Sequence, residues 1–328
     1  MGGRCRCGRP GADALTPSVH IVLVNWNTGD HLRACLESIA GSRDAEISRV
    51  TVVDNASADG SADGLEAGAL PLTVVRNTQN VGFAAACNQG AAHSSADYVL
   101  FLNPDTRLFE DTLVTVIRFM ESDAAVGIGI CGVDVVKPDG RQAIACSRFP
   151  SLRIFAGKAT GLDRVFPRLF PRHHLTPQET RESRPVDQVI GAFYFVRRAL
   201  FEELGGFDTR YFMYFEEVDF ALRARAADAG SYFLKEAAVL HAENVSSDQI
   251  PSLRIFYSLR SRLLFARRHW RRRDIAGLVA MTVTVEWAAR LLAGALHGSR
   301  QELAATLSGY SRFLTHVLER AWAVPRTR

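Results

Sequence analysis

The sequence predicts an α/β fold: a Rossmann-like, mostly parallel sheet with helices on both faces, followed by amphipathic helices. Three observations carry this expectation. Short β-branched apolar runs alternate with segments of helical periodicity through the first part of the chain. Polar residues collect just after those runs, where parallel sheets bind ligands. The charge also changes sign: residues 252–328 hold fourteen Arg, no Lys and four acids, a net +10, against −6 for the rest. With 328 residues, 47% of them hydrophobic and 23% charged, the chain can bury a sizeable core, and neither wholesale disorder nor a polytopic membrane protein fits.

Residues 1–17 are rich in Gly, Arg and Pro and lack an apolar core segment, so they read as a disordered lead-in and not a secretory signal. Cys5 and Cys7 there have no second Cys/His pair at zinc-ligand spacing. Residues 19–24 form a continuous apolar strand. Leu32, Cys35, Leu36 and Ile39 then mark one helix face, with Gly41 closing it. Residues 50–53 make a second strand ending on Asp54, and residues 72–75 a third ending near Asn77. Residues 82–92 are small and helix-compatible. Residues 98–102 are a fourth strand, running into Asn103, Pro104 and Asp105. Strand–helix alternation with short connections indicates a parallel sheet. Neither GxGxxG after the first strand nor GxxxxGK[ST] is present, which argues against a dinucleotide fold and a P-loop. Cys35, Cys87, Cys131 and Cys146 lie in apolar or small-residue surroundings and read as reduced core cysteines.

Further along, residues 157–185 contain four Pro and little periodicity, which predicts a mobile loop over the cleft. An aromatic run at 212–215 opens onto Glu216 and Glu217, after which Asp219, Phe220 and Arg223 read as helix. Acids at a helix start favour the macrodipole, and Asp219 with Arg223 is an i,i+4 pair, so Asp219 is assigned mainly a structural role. His241 follows a strand-like run over 232–240.

Residues 252–273 carry eight Arg and no acid, interleaved with aliphatic and aromatic side chains. Residues 275–296 are apolar but include Glu286 and Arg290, which a membrane-spanning helix tolerates poorly. Leu303, Leu307, Tyr310, Leu314 and Val317 give a third amphipathic period. Two readings stay open: basic helices on an anionic membrane surface, or helices packed on the preceding α/β domain with a solvated Arg face. No nucleic-acid motif is present, so nucleic acid is not expected as a partner.

Eight motifs occur in order: Val-Asn-Trp-Asn (24–27), Val-Asp-Asn-Ala-Ser-Ala-Asp-Gly-Ser (53–61), Asn-Val-Gly-Phe-Ala-Ala-Ala-Cys-Asn (80–88), Leu-Asn-Pro-Asp-Thr (102–106), Gly-Ala (191–192), Gly-Gly-Phe-Asp (205–208), Phe-Met-Tyr-Phe-Glu-Glu-Val-Asp (212–219) and His241. The series resembles family-2 inverting glycosyltransferases of the GT-A nucleotide-diphospho-sugar transferase fold, in particular the bacterial rhamnosyltransferase-like branch. The resemblance implies a GT-A catalytic domain over 18–251, with a nucleotide-binding half (18–107) and an acceptor half (108–251), and a basic helical tail over 252–328. It implies donor-nucleotide binding by Asn25, Trp26, Asn27, Asp54, Asn55, Asn80, Gly82, Asn103 and Asp105, with Asp54 accepting the pyrimidine ring N–H. Asn103 replaces the first acid of the usual Asp-x-Asp. Asp105 and His241 would hold Mg²⁺ or Mn²⁺. Gly191 and Ala192 would let a sugar approach the backbone, although a packing bulge explains them as well.

Glu217 matches the general base of the family's acid pair but is one methylene longer than the usual Asp. The base assignment therefore stays open between Glu217, Asp219 and Glu216. The implied activity is a hexosyltransferase moving L-rhamnose from dTDP-rhamnose to a lipid-linked or polysaccharide acceptor in envelope glycan synthesis. The site would be the cytoplasmic face of the inner membrane, with the oligomeric state, homo-oligomer or monomer, left open. UDP-galactofuranose or a UDP-hexose as donor, and a non-catalytic sugar-nucleotide-binding scaffold, are the alternatives.

Overall fold

The structure is a computed structural model that describes residues 17–65, 68–242 and 247–322. Cys5, Cys7 and all but the last residue of the expected lead-in lie outside the described residues. The chain opens with strand β1 (Ser18–Asn25), helix α1 (His31–Ala40), β2 (Glu46–Asp54), β3 (Leu72–Arg76), α2 (Phe83–Ala91) and β4 (Tyr98–Leu102). All five side chains of β4 and seven of the eight in β1 are buried, as continuous apolar runs in a doubly covered sheet should be. Each fully buried aliphatic side chain contributes about 1.5–3 kcal/mol. Helix α1 buries the four residues of its apolar stripe, Leu32, Cys35, Leu36 and Ile39. Gly41 ends it in right-handed backbone, donating its N–H to the Glu37 carbonyl at 3.0 Å.

The remaining elements are β5 (Thr106–Leu108), α3 (Thr112–Met120), β6 (Ile128–Val136), β7 (Cys146–Ser147), α4 (Leu152–Thr160), α5 (Leu162–Val165), β8 (Arg184–Val186), β9 (Gln188–Val189), β10 (Phe193–Arg197), α6 (Arg198–Glu203), α7 (Glu216–Ala226) and β11 (Gly230–His241). Helices α8 (Pro251–His269), α9 (Arg272–Met281), α10 (Trp287–Leu296) and α11 (Arg300–Trp322) follow, with a π-helical turn at Thr282–Glu286 joining α9 to α10.

The main sheet runs β3-β2-β1-β4-β10-β6-β11-β5, with β8 also on β11. Its first half is all parallel, as expected. The second half is mixed, because β10 lies antiparallel between β4 and β6, and β5 and β8 are antiparallel to β11. This reversal has a consequence for the site. The start of β10 meets the end of β4, with Phe193 opposite Leu102 and the Asn103 N–H donating to the Ala192 carbonyl at 3.0 Å. Gly191 and Ala192 thus arrive at the same sheet edge as the ends of β1, β2 and β4. The four cysteines are buried and free.

Two expectations are corrected. Segment 157–185 is not a loop over the cleft. It holds the end of α4 and all of α5. Its middle is tied to β7 of a separate two-stranded β7–β9 sheet by the Ser147–His174 contact at 2.8 Å and an Arg148–Glu179 ion pair, and its end joins the main sheet through β8 on β11. None of its residues lines the cleft described below. The amphipathic period of α11 is also shifted: Tyr310 and Phe313 are buried, whereas Leu307 and Leu314 point outwards. Gly309 lets α11 approach Ile255 of α8, so the buried stripe follows that contact and not the leucine spacing.

Between the two open readings of the tail, α8 packs on the catalytic domain. Phe265 is buried with Tyr211 and Val218 around α7 and Ala266 with Phe155 of α4, whereas Leu259 and Leu263 are buried against Tyr310 and Phe313 of α11.

Candidate active site

The strand ends meet in one cleft of about 320 Å³. Trp26 enters from the end of β1, Asn55 from β2, and Asn103 and Asp105 from β4; Gly191 and Ala192 come from the start of β10 and Glu216 and Glu217 from the start of α7. A Cβ added at Gly191 would meet nothing within 4 Å, so this glycine leaves open space in the cleft and no packing demand explains it.

Asp105 and His241 are brought together by backbone pairing. Strand β11 runs antiparallel to β5 with His241 opposite Thr106, and the Ala242 N–H donates to the Asp105 carbonyl at 3.0 Å. His241 Nε2 then lies 3.1 Å from Asp105 Oδ1 and 3.5 Å from Asn103 Nδ2. His241 Nδ1 is buried with no hydrogen-bond partner among the described residues. An imidazole nitrogen beside a carboxylate oxygen is a donor set that Mn²⁺ or Mg²⁺ accepts, manganese more readily with nitrogen. Among the described residues no third His, Cys, Asp or Glu joins them, so further ligands would come from water and the donor's oxygens.

The acid pair is delivered by a strained turn. Tyr214 (φ +69°) and Phe215 (φ +70°) both hold left-handed backbone, at a cost of about 1–3 kcal/mol each that the surroundings must offset. On one side the Phe83 N–H donates to the Phe212 carbonyl at 2.6 Å, and a Cβ on Gly82 would come within 2.6 Å of that oxygen. On the other side, α8 supplies Ser261 Oγ to the Met213 carbonyl at 2.8 Å and stacks Tyr257 on Phe212 at 4.4 Å.

The three candidate bases now separate. Asp219 is fully buried beneath the cleft, bonded by His269 Nε2 at 2.7 Å and Arg223 Nε at 2.8 Å, with Arg268 3.4 Å away. Burial pushes its carboxyl up, but the His269 and Arg223 hydrogen bonds and the charges of Arg223 and Arg268 outweigh that and hold it below the usual range. Glu216 and Glu217 line the cleft, and each has an Oε2 without a partner among the described residues. Burial, then the neighbouring Glu217 charge, raises Glu216 well above its ordinary 4.5. Burial raises Glu217 also. Glu217 is the less buried of the two.

The other expected donor residues divide into two groups. Trp26, Asn55, Asn80, Asn103 and Asp105 line the cleft. Asn25, Asn27, Asp54 and Gly82 stand behind it. Asn25 Nδ2 donates to Asp54 Oδ1 at 2.9 Å and to Ser61 at 2.8 Å, while Asn27 Oδ1 accepts from the Ala58 N–H at 2.8 Å. Sequence reasoning flagged the aromatic run but not that Phe212, Met213 and Tyr214 themselves form cleft wall. It missed Ile250 altogether, an isolated aliphatic residue without a motif that reaches the cleft just ahead of α8.

A nucleotide-sugar transferase is the class of protein that this sheet edge, acid pair and carboxylate–imidazole pair define. The family model described as Glycosyl transferase family 2 matches residues 20–205, and the chain belongs to that family. An N-acetylglucosaminyl-diphospho-decaprenol L-rhamnosyltransferase of Mycobacterium tuberculosis is 29% identical over 280 residues, covering 78% of this chain and 88% of that protein. Rhamnosyltransferase WbbL of Escherichia coli K12 is 27% identical over 148 residues, covering 44% of this chain and 52% of its own length. Among solved structures, a mannosyltransferase of Pyrobaculum calidifontis in complex with GDP-Man and Mn²⁺ superposes with TM-score 0.54 at 18% identity, over 94% of this chain and 84% of that one. S. aureus TarS 1–349 in complex with UDP-GlcNAc does so with TM-score 0.53 at 17% identity, over 92% and 82%. These likenesses carry the GT-A fold. The chain is a rhamnosyltransferase-like glycosyltransferase, and the non-catalytic scaffold alternative is set aside.

Proposed function

We propose that this enzyme is an inverting transferase that moves L-rhamnose from dTDP-rhamnose to a lipid-linked acceptor in envelope glycan synthesis. One observation carries the chemistry: the buried Glu216–Glu217 pair shares a single cleft with Asp105 and His241. The sugar and acceptor are taken from the relatedness, over 78% of the chain, to a protein named as an L-rhamnosyltransferase of a diphospho-decaprenol acceptor.

Asp54 is our choice for the pyrimidine. The hydrogen bonds from Asn25 (2.9 Å) and Ser57 (2.6 Å) both fall on Oδ1, while Oδ2 has the Arg76 guanidinium 4.0 Å away and accepts neither, so Oδ2 is the oxygen assigned to the ring N–H. Trp26, Asn55 and Asn80 would surround the nucleoside. Asp105 and His241 would hold a divalent cation, which when bound supplies Lewis-acid neutralisation of the donor's diphosphate. Glu217 takes the proton of the acceptor hydroxyl. The acceptor oxygen forms the new bond to the anomeric carbon as the carbon–oxygen bond to the diphosphate breaks, with inversion. The acceptor hydroxyl must sit within hydrogen-bond reach of the carboxylate, and a base so positioned contributes about 10²–10⁴-fold. The open space at Gly191 would take the sugar.

Calorimetric titration with dTDP-rhamnose, UDP-glucose and UDP-galactofuranose, each with Mn²⁺ or EDTA, tests the donor. The expected outcome is Mn²⁺-dependent binding of dTDP-rhamnose at least about tenfold tighter than either UDP-sugar, about 1.4 kcal/mol. Preference for a UDP-sugar would overturn the rhamnose assignment and leave the transferase standing.

A further inference from the structure

The exposed hydrophobic side chains are not scattered. Of thirteen large ones among the described residues, ten fall in two stretches. Val165, Phe166 and Leu169 lie at and just beyond the end of α5. The other seven run from Val285 to Leu318, including Trp287, Leu292 and Leu296 on α10. The stretches are far apart in sequence, yet α4, which leads into α5, packs on α9 and its π-helical turn. A Cβ on Gly277 of α9 would lie 3.0 Å from Leu152 of α4. The guanidinium of Arg262 on α8 sits 4.9 Å from the Phe155 ring.

The helix Arg272–Leu296 is amphipathic in the inverted sense. Its buried polar groups face the protein: Arg262 Nη2 donates to Thr282 Oγ1 at 2.8 Å and to Glu286 Oε2 at 2.7 Å. Leu278 is buried and Ile275, Val279, Met281 and Val283 pack inwards, whereas Val285, Trp287, Leu292 and Leu296 face out, and only 11% of the apolar window is buried, with mean hydropathy 1.5. By length and composition this helix could cross a membrane. Spanning, however, would tear Glu286 from Arg262 and carry it and Arg290 into hydrocarbon. A helix with such a face lies in the bilayer interface instead. Exposed arginines accompany both: Arg164, Arg168 and Arg172 lie among the first group, and Arg271, Arg272 and Arg273 stand at the head of α9, which leads into the second. The acids within these segments are Asp163 in the first and Asp274, Glu286 and Glu302 in the second.

We propose that the α5 end and the outward faces of α10 and α11 form one docking surface for an anionic lipid bilayer. The apolar side chains enter the boundary between headgroups and acyl chains, and the arginines meet lipid phosphates. Segment 157–185 is then a second foot on the membrane and not a cover for the cleft. The use of such a surface rests on the lipid-linked acceptor proposed above, but its test needs neither donor nor acceptor.

The full-length protein is sedimented with vesicles of phosphatidylcholine alone and of phosphatidylcholine mixed with phosphatidylglycerol. Two double variants, Phe166→Glu with Leu169→Glu and Leu292→Glu with Leu296→Glu, are compared, with thermal melting as the fold control. Wild type should pellet with the anionic vesicles, and each double variant should bind about tenfold less or weaker while melting normally. Equal pelleting of the first double variant and wild type would overturn the two-footed surface. So would pelleting without lipid, which would mean that a second copy covers this face. Failure here with intact donor binding leaves the transferase reading untouched.

Discussion

Two carboxylates that share one low-dielectric wall cannot both ionise at ordinary pH. Burial and the Glu217 charge push the deeper Glu216 up, and burial pushes Glu217 up as well; Glu216 is expected to be the one that holds the proton. Glutamine is close in shape to a neutral glutamic acid, so Glu216→Gln should retain turnover at neutral pH within a few-fold. It should also change the pH dependence of stability. A folded pKa raised above 4.5 means that the fold holds a proton the unfolded chain has released. Stability is then full below 4.5 and falls as pH rises through the raised folded value. The wild-type melting temperature should drop over this range, and the Glu216→Gln variant should drop less. A dead variant, or one with an unchanged slope, would show that Glu216 ionises. The motif at 212–219 was legible in sequence, but the ranking of its acids was not. The i,i+4 spacing pairs Asp219 with Arg223 and gives it a mainly structural role, but only the structure adds His269 and separates it from Glu216 and Glu217.

At the scale of elements, α8 is the brace of the acid turn. Its His269 and Arg268 engage Asp219, Arg268 also pairs with Asp208, and Ser261 and Tyr257 hold residues 212 and 213 just ahead of the strained pair Tyr214–Phe215. His269 is thus a positioning residue. His269→Ala should lower kcat by roughly tenfold or more while leaving the donor Kd unchanged, since a lost hydrogen bond to a buried charge costs about 1–3 kcal/mol. His269→Gln, which keeps a donor, should recover part of it. Equal losses in kcat and donor affinity would point to general unfolding of the site. Helices α1 and α2 and the strands of the first half were readable from periodicity, because burial alone orders them. The orientation of α8 to α11 was not. An arginine-rich helix reads as solvated until Arg262 is seen 2.7 Å from a buried Glu286 on another helix. Burial pushes that glutamate up, yet Arg262 and Arg290 hold it below its usual range.

For the whole molecule, the sheet divides the work. The parallel half brings Trp26, Asn55 and Asp105 to one edge, and the mixed half returns Gly191, Ala192 and His241 to the same edge by reversing β10 and pairing β11 with β5. Alternating apolar runs announced the first half. The reversal of β10 left no trace in its own residues, because a buried strand reads alike in either direction. The most direct test of the central claim is a single preparation of Glu217→Gln assayed both for donor binding by calorimetry and for transfer to acceptor. Donor affinity equal to wild type, with turnover down by about 10²–10⁴-fold, is the predicted result. Turnover near the wild-type rate with the donor bound would contradict Glu217 as the base.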